Sequence, residues 1–435
     1  MTGSRAHPGT AREGRRWAAW LASGVAALAI MAFFWSVSEP PVPLGDFRKA
    51  YYPAGTLVRA DPAALYQFPP KFNCIPIVAW LFVPVSWLSE PAAGVVVTLV
   101  GALAVGLTCC GLIRLTGVSG WRRAALAGLF VVNGPLYNSL REGNLTHFVL
   151  FVLFVALYCM ERRRDAWAGA LLAIAGILKP PVLPLAGLLV LRWRSGAVAG
   201  FGAALLGIGG ASLALYGLEL HVAWYRNSVQ PFIDAPIAAW NAQSVNGFLA
   251  RLLTDGRYLH SWWPIAQLGP GFALLKSILV ALLVCPTAWI LWRARRAASA
   301  TAQRLDFSIL LCLALLISPT SWTHYYLLLL LPIGLHVGGM LGTPGGRRGS
   351  ALFWLAVVLI SPPVIAPAPG AGALHPLMAN LLVSHYFFGG VLMLALLLCA
   401  RRSGRTKPVV GSHGSGTSTL TGRFDRTRTL GHNPC

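Results

Sequence analysis

Charge is what this 435-residue chain has least of. Asp, Glu, Lys and Arg together make up 11% of it, with 13 acidic residues against 35 basic ones. A soluble domain cannot carry such a composition, because the long apolar runs leave too little polar surface to face water. Lysine occurs only at positions 49, 71, 179, 276 and 407, so nearly all the positive charge is arginine. No basic stripe with interleaved aromatics falls on a polar segment, which argues against nucleic acid as a partner. The 8 cysteines form no CxxC pair and no Cys/His spacing, so neither a disulfide framework nor a zinc site is implied. No glycine-rich phosphate loop follows a strand pattern, and no internal repeat of the transporter kind is visible.

What the chain does have is apolar length. It is 56% hydrophobic, with a mean hydropathy of +0.63. That reads as an all-α, polytopic membrane protein of about a dozen spans, each of roughly 20 residues. The formal net charge of +22 lies between the apolar runs, in the positive-inside pattern, and marks topology and contact with anionic membrane lipids.

The boundaries follow from that alternation. Residues 1–16 form a cytoplasmic N-terminal segment and 17–400 the transmembrane domain. The Gly/Ser/Thr/Arg-rich tail at 401–435 is predicted to be disordered. The run from Trp17 to about Val37, behind Arg12, Arg15 and Arg16, reads as a retained first helix rather than a signal peptide. Residues 38–71 lie outside, with two short interfacial helices, and Asp61-Pro62 supplies a helix start. The proline-broken run at 72–88 reads as re-entrant or interfacial. Later spans are predicted near 91–114, 123–138, 147–160, 166–178, 180–192, 196–216, 268–292, 306–319, 325–340, 350–367 and 382–400. Lys179-Pro180-Pro181 makes a tight hairpin between two half-length helices. With this register Asp46, Arg141, Glu142, Lys179, Gln243, Arg251 and His324 gather at the outer face, and the surplus arginines at the inner one.

Several of those residues belong to an ordered series of motifs. Gly45-Asp46-Phe47, Tyr51-Tyr52 and Leu65-Tyr66 follow the first helix. Arg141-Glu142-Gly143-Asn144 and Gly176-Ile177-Leu178-Lys179-Pro180 come next. Gln243-Ser244, Arg251, and then Ser318-Pro319 with Ser321-Trp322-Thr323-His324-Tyr325 complete the order. The series resembles glycosyltransferase family 87 over roughly residues 17 to 335. One departure is clear: the family usually shows Gly-Gln where this chain has Gly143-Asn144.

The resemblance implies a GT-C fold, and the arginine alternation puts its active site on the extracytoplasmic face of the plasma membrane. The resemblance also implies an inverting α-mannosyltransferase that draws on a polyprenyl-phosphate-mannose donor and a glycolipid or lipoglycan acceptor, while the residues themselves mark no cofactor and no metal site. Asp46 matches the family's catalytic aspartate, although read alone it would serve equally as a helix cap. Lys179, a cation at the tip of an apolar hairpin, either snorkels to the surface or meets a phosphate. Arg141, Arg251 and His324 suit phosphate or sugar contacts, Gln243 a sugar hydroxyl, and Glu142 either the substrate or Arg141. An arabinofuranosyltransferase would share the scaffold and the donor type, and a transporter would share the spans alone.

Overall fold

The computed structural model describes residues 43–67, 72–192, 194–265, 268–296, 299–342, 346–364, 366 and 376–403. The expected first helix and nearly all of the tail lie outside these residues. Among the described residues every regular element is helical, and the one strand-like pairing is an antiparallel bridge between Ala242 and Trp322.

The described chain opens with a π-helical turn at Phe47–Tyr51 and continues as α1, Tyr52–Ala60. Ala54, Gly55 and Val58, spaced by one helical turn, form its buried stripe. Asp61 departs from expectation: its side chain makes no capping bond to the 3-10 turn Pro62–Tyr66, and its carbonyl alone accepts Ala64 N at 3.1 Å. The segment before α2 is two short 3-10 turns, Pro76–Phe82 and Val85–Trp87, rather than a crossing helix. Val78, Ala79 and Phe82 point inward while Trp80, Leu81 and Trp87 are exposed, as an interfacial segment requires.

Helix α2 (Glu90–Thr116) matches the expected span near 91–114. The next expected span, 123–138, is broken into α3 (Gly120–Val131) and α4 (Gly134–Glu142). The break is local chemistry: the Asn133 side chain accepts Leu136 N at 2.9 Å, and Pro135 follows at the helix start. Twelve residues rise only about 18 Å, short of the ~30 Å hydrocarbon core, so α3 alone does not cross. Helix α5 (Thr146–Glu161) and helix α6 (Asp165–Leu178) form the next hairpin. The chain then turns at Lys179 into a 3-10 stretch, Pro180–Ala186, and α7, Gly187–Arg192.

Helix α8 (Ser195–Trp224) runs beyond the expected 196–216 and kinks at Gly217. It crosses α6 closely: a Cβ on Gly169 would sit 1.9 Å from Ala197 O, and one on Gly200 would sit 1.9 Å from Ala166 O. Only glycine permits that backbone approach, a common solution between helices in lipid. Beyond α9 (Gln230–Asp234) and α10 (Val245–Leu253) come α11 (Gly269–Arg293) and α12 (Ala300–Ile317). A 3-10 stretch, Thr323–Leu329, leads into α13 (Leu330–Val337), so the expected span 325–340 is not one α-helix. The described chain ends with α14 (Gly346–Ile360), α15 (Pro376–Val383) and α16 (His385–Ser403).

Helix α12 is buried almost all round and forms the centre of the bundle, whereas α8 and α11 expose apolar side chains on most of their surface, as lipid-facing helices do. Five helices among the described residues are long and apolar enough to cross a membrane. Four shorter apolar helical segments join them, including the half-length pair around Lys179. The protein is thus an all-helical, multi-pass membrane protein.

One end of the bundle is tied by charge. Arg304 forks onto Glu161 at 2.9 and 2.5 Å, and Arg194 meets Asp165 at 2.7 Å. Asp306, its side chain only 1% exposed, takes Arg401 Nε at 2.6 Å and also pairs with Arg192. These ties join neighbouring ends of α5, α6, α7, α12 and α16, the ends that the arginine pattern was expected to place at the cytoplasmic face.

Candidate active site

The opposite end of α5 and α6 carries the polar cluster. Gly143 ends α4 in the left-handed region at φ 64°, and a Cβ there would meet Phe47 Cβ at 2.8 Å. The turn after α4 therefore packs directly against residues 44–47, and Leu44 N donates to Arg141 O at 2.6 Å. Gly45 lies against the Glu142 carboxylate, which accepts the backbone N–H of Asp46. Asp46 itself makes no capping bond, so its carboxylate is free of the structural role a helix cap would give it.

The Asp46 carboxylate faces Lys179, Lys49 and Asn144. Burial holds its pKa above the ordinary carboxylate value, and the two lysines and the Asn144 amide draw it partly back. Glu142 is likewise raised, by burial and by the neighbouring Asp46 charge, and Arg141 and Lys49 oppose that rise. Two acids thus share one cation-rich recess, and the Asp46 charge disfavours that of Glu142.

Lys179 arrives from the end of α6, where Pro180 turns the chain out of the helix. Its Nζ lies 4.6 Å from the centre of the Tyr325 ring and 3.5 Å from the Tyr325 hydroxyl. His324, 7% exposed, packs edge-on to Tyr325 and lies within electrostatic reach of Lys179 and His147. The segment carrying His324 is held by the Ala242–Trp322 bridge, with Gln243 N on Ser321 O at 2.5 Å and Thr323 N on Asn241 O at 2.8 Å. Asp46, Glu142, Arg141, Lys179 and His324, far apart in sequence, are therefore brought together.

Gln243 and Arg251 are not part of that recess. Gln243 is fully buried, and its amide donates to Trp240 O at 2.7 Å and Val383 O at 2.6 Å while accepting Phe387 N at 3.3 Å. Arg251 is fully buried too: its guanidinium donates to Ala239 O at 2.8 Å, Ala242 O at 2.5 Å and the Ser384 hydroxyl at 2.9 Å. With no carboxylate beside it, burial pulls its pKa down to about 9. The polar groups from which contacts with sugar and phosphate were expected here hold a clamp that joins α10 to the 236–244 loop and to α16.

Two residues were not singled out by sequence, Ser139 and His147, and Tyr51 stood there only as part of the Tyr51-Tyr52 motif, with no role assigned. Ser139 and His147 are buried beside Asn144, and Tyr51 faces Asp46 and Tyr325. The one available signal for His147 was a histidine opening an otherwise apolar helix.

The family model for glycosyltransferase family 87 matches residues 76–319, more than half of the chain. Asp46 lies well before that stretch and His324 shortly after it. A polyprenol-phosphate-mannose-dependent alpha-(1-2)-phosphatidylinositol mannoside mannosyltransferase of Mycobacterium tuberculosis is 28% identical over 306 residues, 66% of this chain and 65% of the relative. The match thus spans a little under two thirds of that relative's length. The corresponding pentamannoside mannosyltransferase of Mycolicibacterium smegmatis is 27% identical over 337 residues, covering 72% of this chain and 74% of its own. The crystal structure of ArnT from Cupriavidus metallidurans in the apo state overlays 89% of this chain and 78% of its own at 18% identity, with a TM-score of 0.40. On the extent of the family match, this chain is a member of glycosyltransferase family 87.

Proposed function

We propose that the protein is an inverting mannosyltransferase of GT-C type that works at the outer face of the plasma membrane. It moves mannose from a polyprenyl-phosphate donor to a glycolipid or lipoglycan acceptor, forming an α-linkage. The observation that carries this reading is the convergence of the Asp46 carboxylate with Lys179 and His324 in one recess at the end of the bundle away from the arginine ties. The names of both mycobacterial relatives support mannose, and polyprenol phosphate as its carrier.

In the reaction the acceptor hydroxyl gives its proton to Asp46 as its oxygen bonds to the anomeric carbon. The bond from that carbon to the phosphate oxygen breaks on the opposite side, and the electron pair leaves with the polyprenyl phosphate. Lys179, with His324 and Arg141 nearby, meets the charge that develops on that phosphate. A base whose pKa burial has raised accepts the proton more readily than an exposed carboxylate would. The lipid tail of the donor lies between spans, so no soluble nucleotide-sugar domain is required.

Purified protein incubated with labelled polyprenyl-phosphate-mannose and phosphatidylinositol mannosides tests the reading. Label should pass to the glycolipid. Transfer from polyprenyl-phosphate-arabinose in its place would move the assignment to an arabinosyltransferase, and no transfer from either donor would overturn it.

A further inference from the structure

Ser139, Asn144 and His147 form a buried hydrogen-bonded chain behind Asp46, and its geometry dictates the direction of every bond. The Asn144 side-chain oxygen accepts Thr146 N, which can only donate, at 2.9 Å. That fixes which end of the amide is oxygen. Ser139 Oγ lies 2.8 Å from the same oxygen, so the serine must donate its proton there. His147 Nδ1 lies 3.0 Å from Ser139 Oγ, whose only proton is already committed, so Nδ1 carries a hydrogen and donates to it. The Asn144 amide nitrogen is left with no well-formed hydrogen bond inside the protein, although Asn144 is 1% exposed. It faces Asp46 from the turn that packs against residues 44–47. His147 is held at its far edge too, since a Cβ on Gly101 would lie 2.5 Å from its Nε2.

We propose that Ser139 and His147 are positioning residues that lock the Asn144 amide with its nitrogen toward Asp46, so that this asparagine orients the base. The inference rests on Asp46 being the base of the proposed reaction. It also gives a role to the residue at which this chain departs from the family's usual Gly-Gln. The shorter side chain reaches both Ser139 and Thr146 N from one oxygen and so has a single orientation. The charged and titratable groups that face Asp46 are Lys49 on its own turn, Glu142 with Arg141 from α4, Lys179 from the end of α6, and Tyr51.

The test reads the protonation of Asp46 directly, without turnover. The carboxylic-acid stretch of Asp46 is isolated in infrared spectra as the difference from Asp46→Asn, and its pH midpoint is followed in each background. Loss of the amide in Asn144→Ala should raise the midpoint by on the order of one pH unit. Ser139→Ala and His147→Leu should raise it in the same direction by less, and neither should add to the shift of Asn144→Ala. His147→Asn, which keeps a donor near the Nδ1 position, should restore the midpoint seen with His147. A midpoint unmoved in Asn144→Ala would overturn the proposal. A shift in Asn144→Ala that Ser139→Ala and His147→Leu both fail to reproduce would overturn it as well. Failure of mannosyl transfer in the unaltered protein would count against the enzymatic reading alone, because the infrared midpoint is measured independently of it.

Discussion

Lys179 Nζ sits 4.6 Å above the Tyr325 ring, and this contact joins the hairpin after α6 to the segment that carries His324. A half-buried cation among apolar helices is held where something favours its charge, and a ring face together with Asp46 supplies that in the free protein. An incoming phosphate would take over part of this role. Lys179→Ala is therefore expected to raise the KM for the polyprenyl-phosphate donor and lower kcat, with the protein still folded. Lys179→Arg should retain part of the activity, because the charge persists although its geometry changes. Equal donor use by Lys179→Ala and the unaltered protein would leave this lysine as a snorkelling side chain.

Gln243 and Arg251 should behave differently from Lys179. Their polar groups bond to backbone carbonyls and to Ser384, and truncation would leave those carbonyls buried and unpaired. Each such loss costs about 1–3 kcal/mol, more for a charged donor. Gln243→Ala and Arg251→Ala should lower the unfolding temperature in detergent markedly, with the donor KM of the remaining folded protein little changed. A raised donor KM at unaltered stability would return both residues to the substrate.

The opposite end of the bundle offers a test that leaves the recess alone. Asp306 is a single buried carboxylate shared by Arg192 and Arg401. Asp306→Asn keeps the shape but leaves two buried guanidinium groups without their counter-charge. Removing one partner of a buried pair typically costs about 3–5 kcal/mol. Thermal unfolding should shift strongly downward, while the pH dependence of transfer in the surviving fraction stays the same. An unchanged unfolding temperature would mean the triad contributes nothing net to stability.

The helical class and most of the recess were legible because membrane burial makes polar residues scarce, so each one that remains is conspicuous. Lys179 stood out in this way, whereas Asp46, which read alone would serve as a helix cap, and His324 were picked out by the motif order that resembles the family. What stayed hidden depended on contacts that only the fold makes. Gln243 and Arg251 have the side chains of sugar and phosphate ligands, and nothing in their spacing reveals that Val383, Ser384 and Phe387 consume their hydrogen bonds. The break at Asn133 was hidden for a different reason: hydropathy continues across it, and the cap is a single side-chain bond. His147 was passed over because a histidine in an apolar helix gives no sign of which neighbours it meets.

The orientation of the whole arrangement can be checked with single cysteines in a background where the native 8 are replaced. Arg257, exposed in the loop after α10, and Arg162, exposed in the turn between α5 and α6, lie on opposite sides of the proposed topology. An impermeant thiol reagent should label Arg257→Cys in intact cells and Arg162→Cys only after the membrane is opened. The reverse pattern would put the Asp46 recess in the cytoplasm and remove the outer-face assignment.

The proposed reaction turns on Asp46. Its neighbour Glu142 bonds to the Asp46 backbone N–H and so supports the position of the base, whereas the Asp46 carboxylate faces Lys179. Asp46→Asn keeps the size of the side chain and removes the proton acceptor, so transfer should fall by about a hundredfold or more. Donor binding should change little, because Lys179 keeps its charge and its contact with the Tyr325 ring. The pH profile carries the second part of the test. The pKa of Asp46 is raised, so the base is lost as pH falls through a value above the ordinary ~4 of a carboxylate, and the acid limb of kcat/KM should lie above that value. Asp61→Asn, which alters an acid with no side-chain cap bond, should leave both rate and profile nearly unchanged. Full activity in Asp46→Asn would sink the mechanism and make Glu142, the other acid of the recess, the next residue to replace.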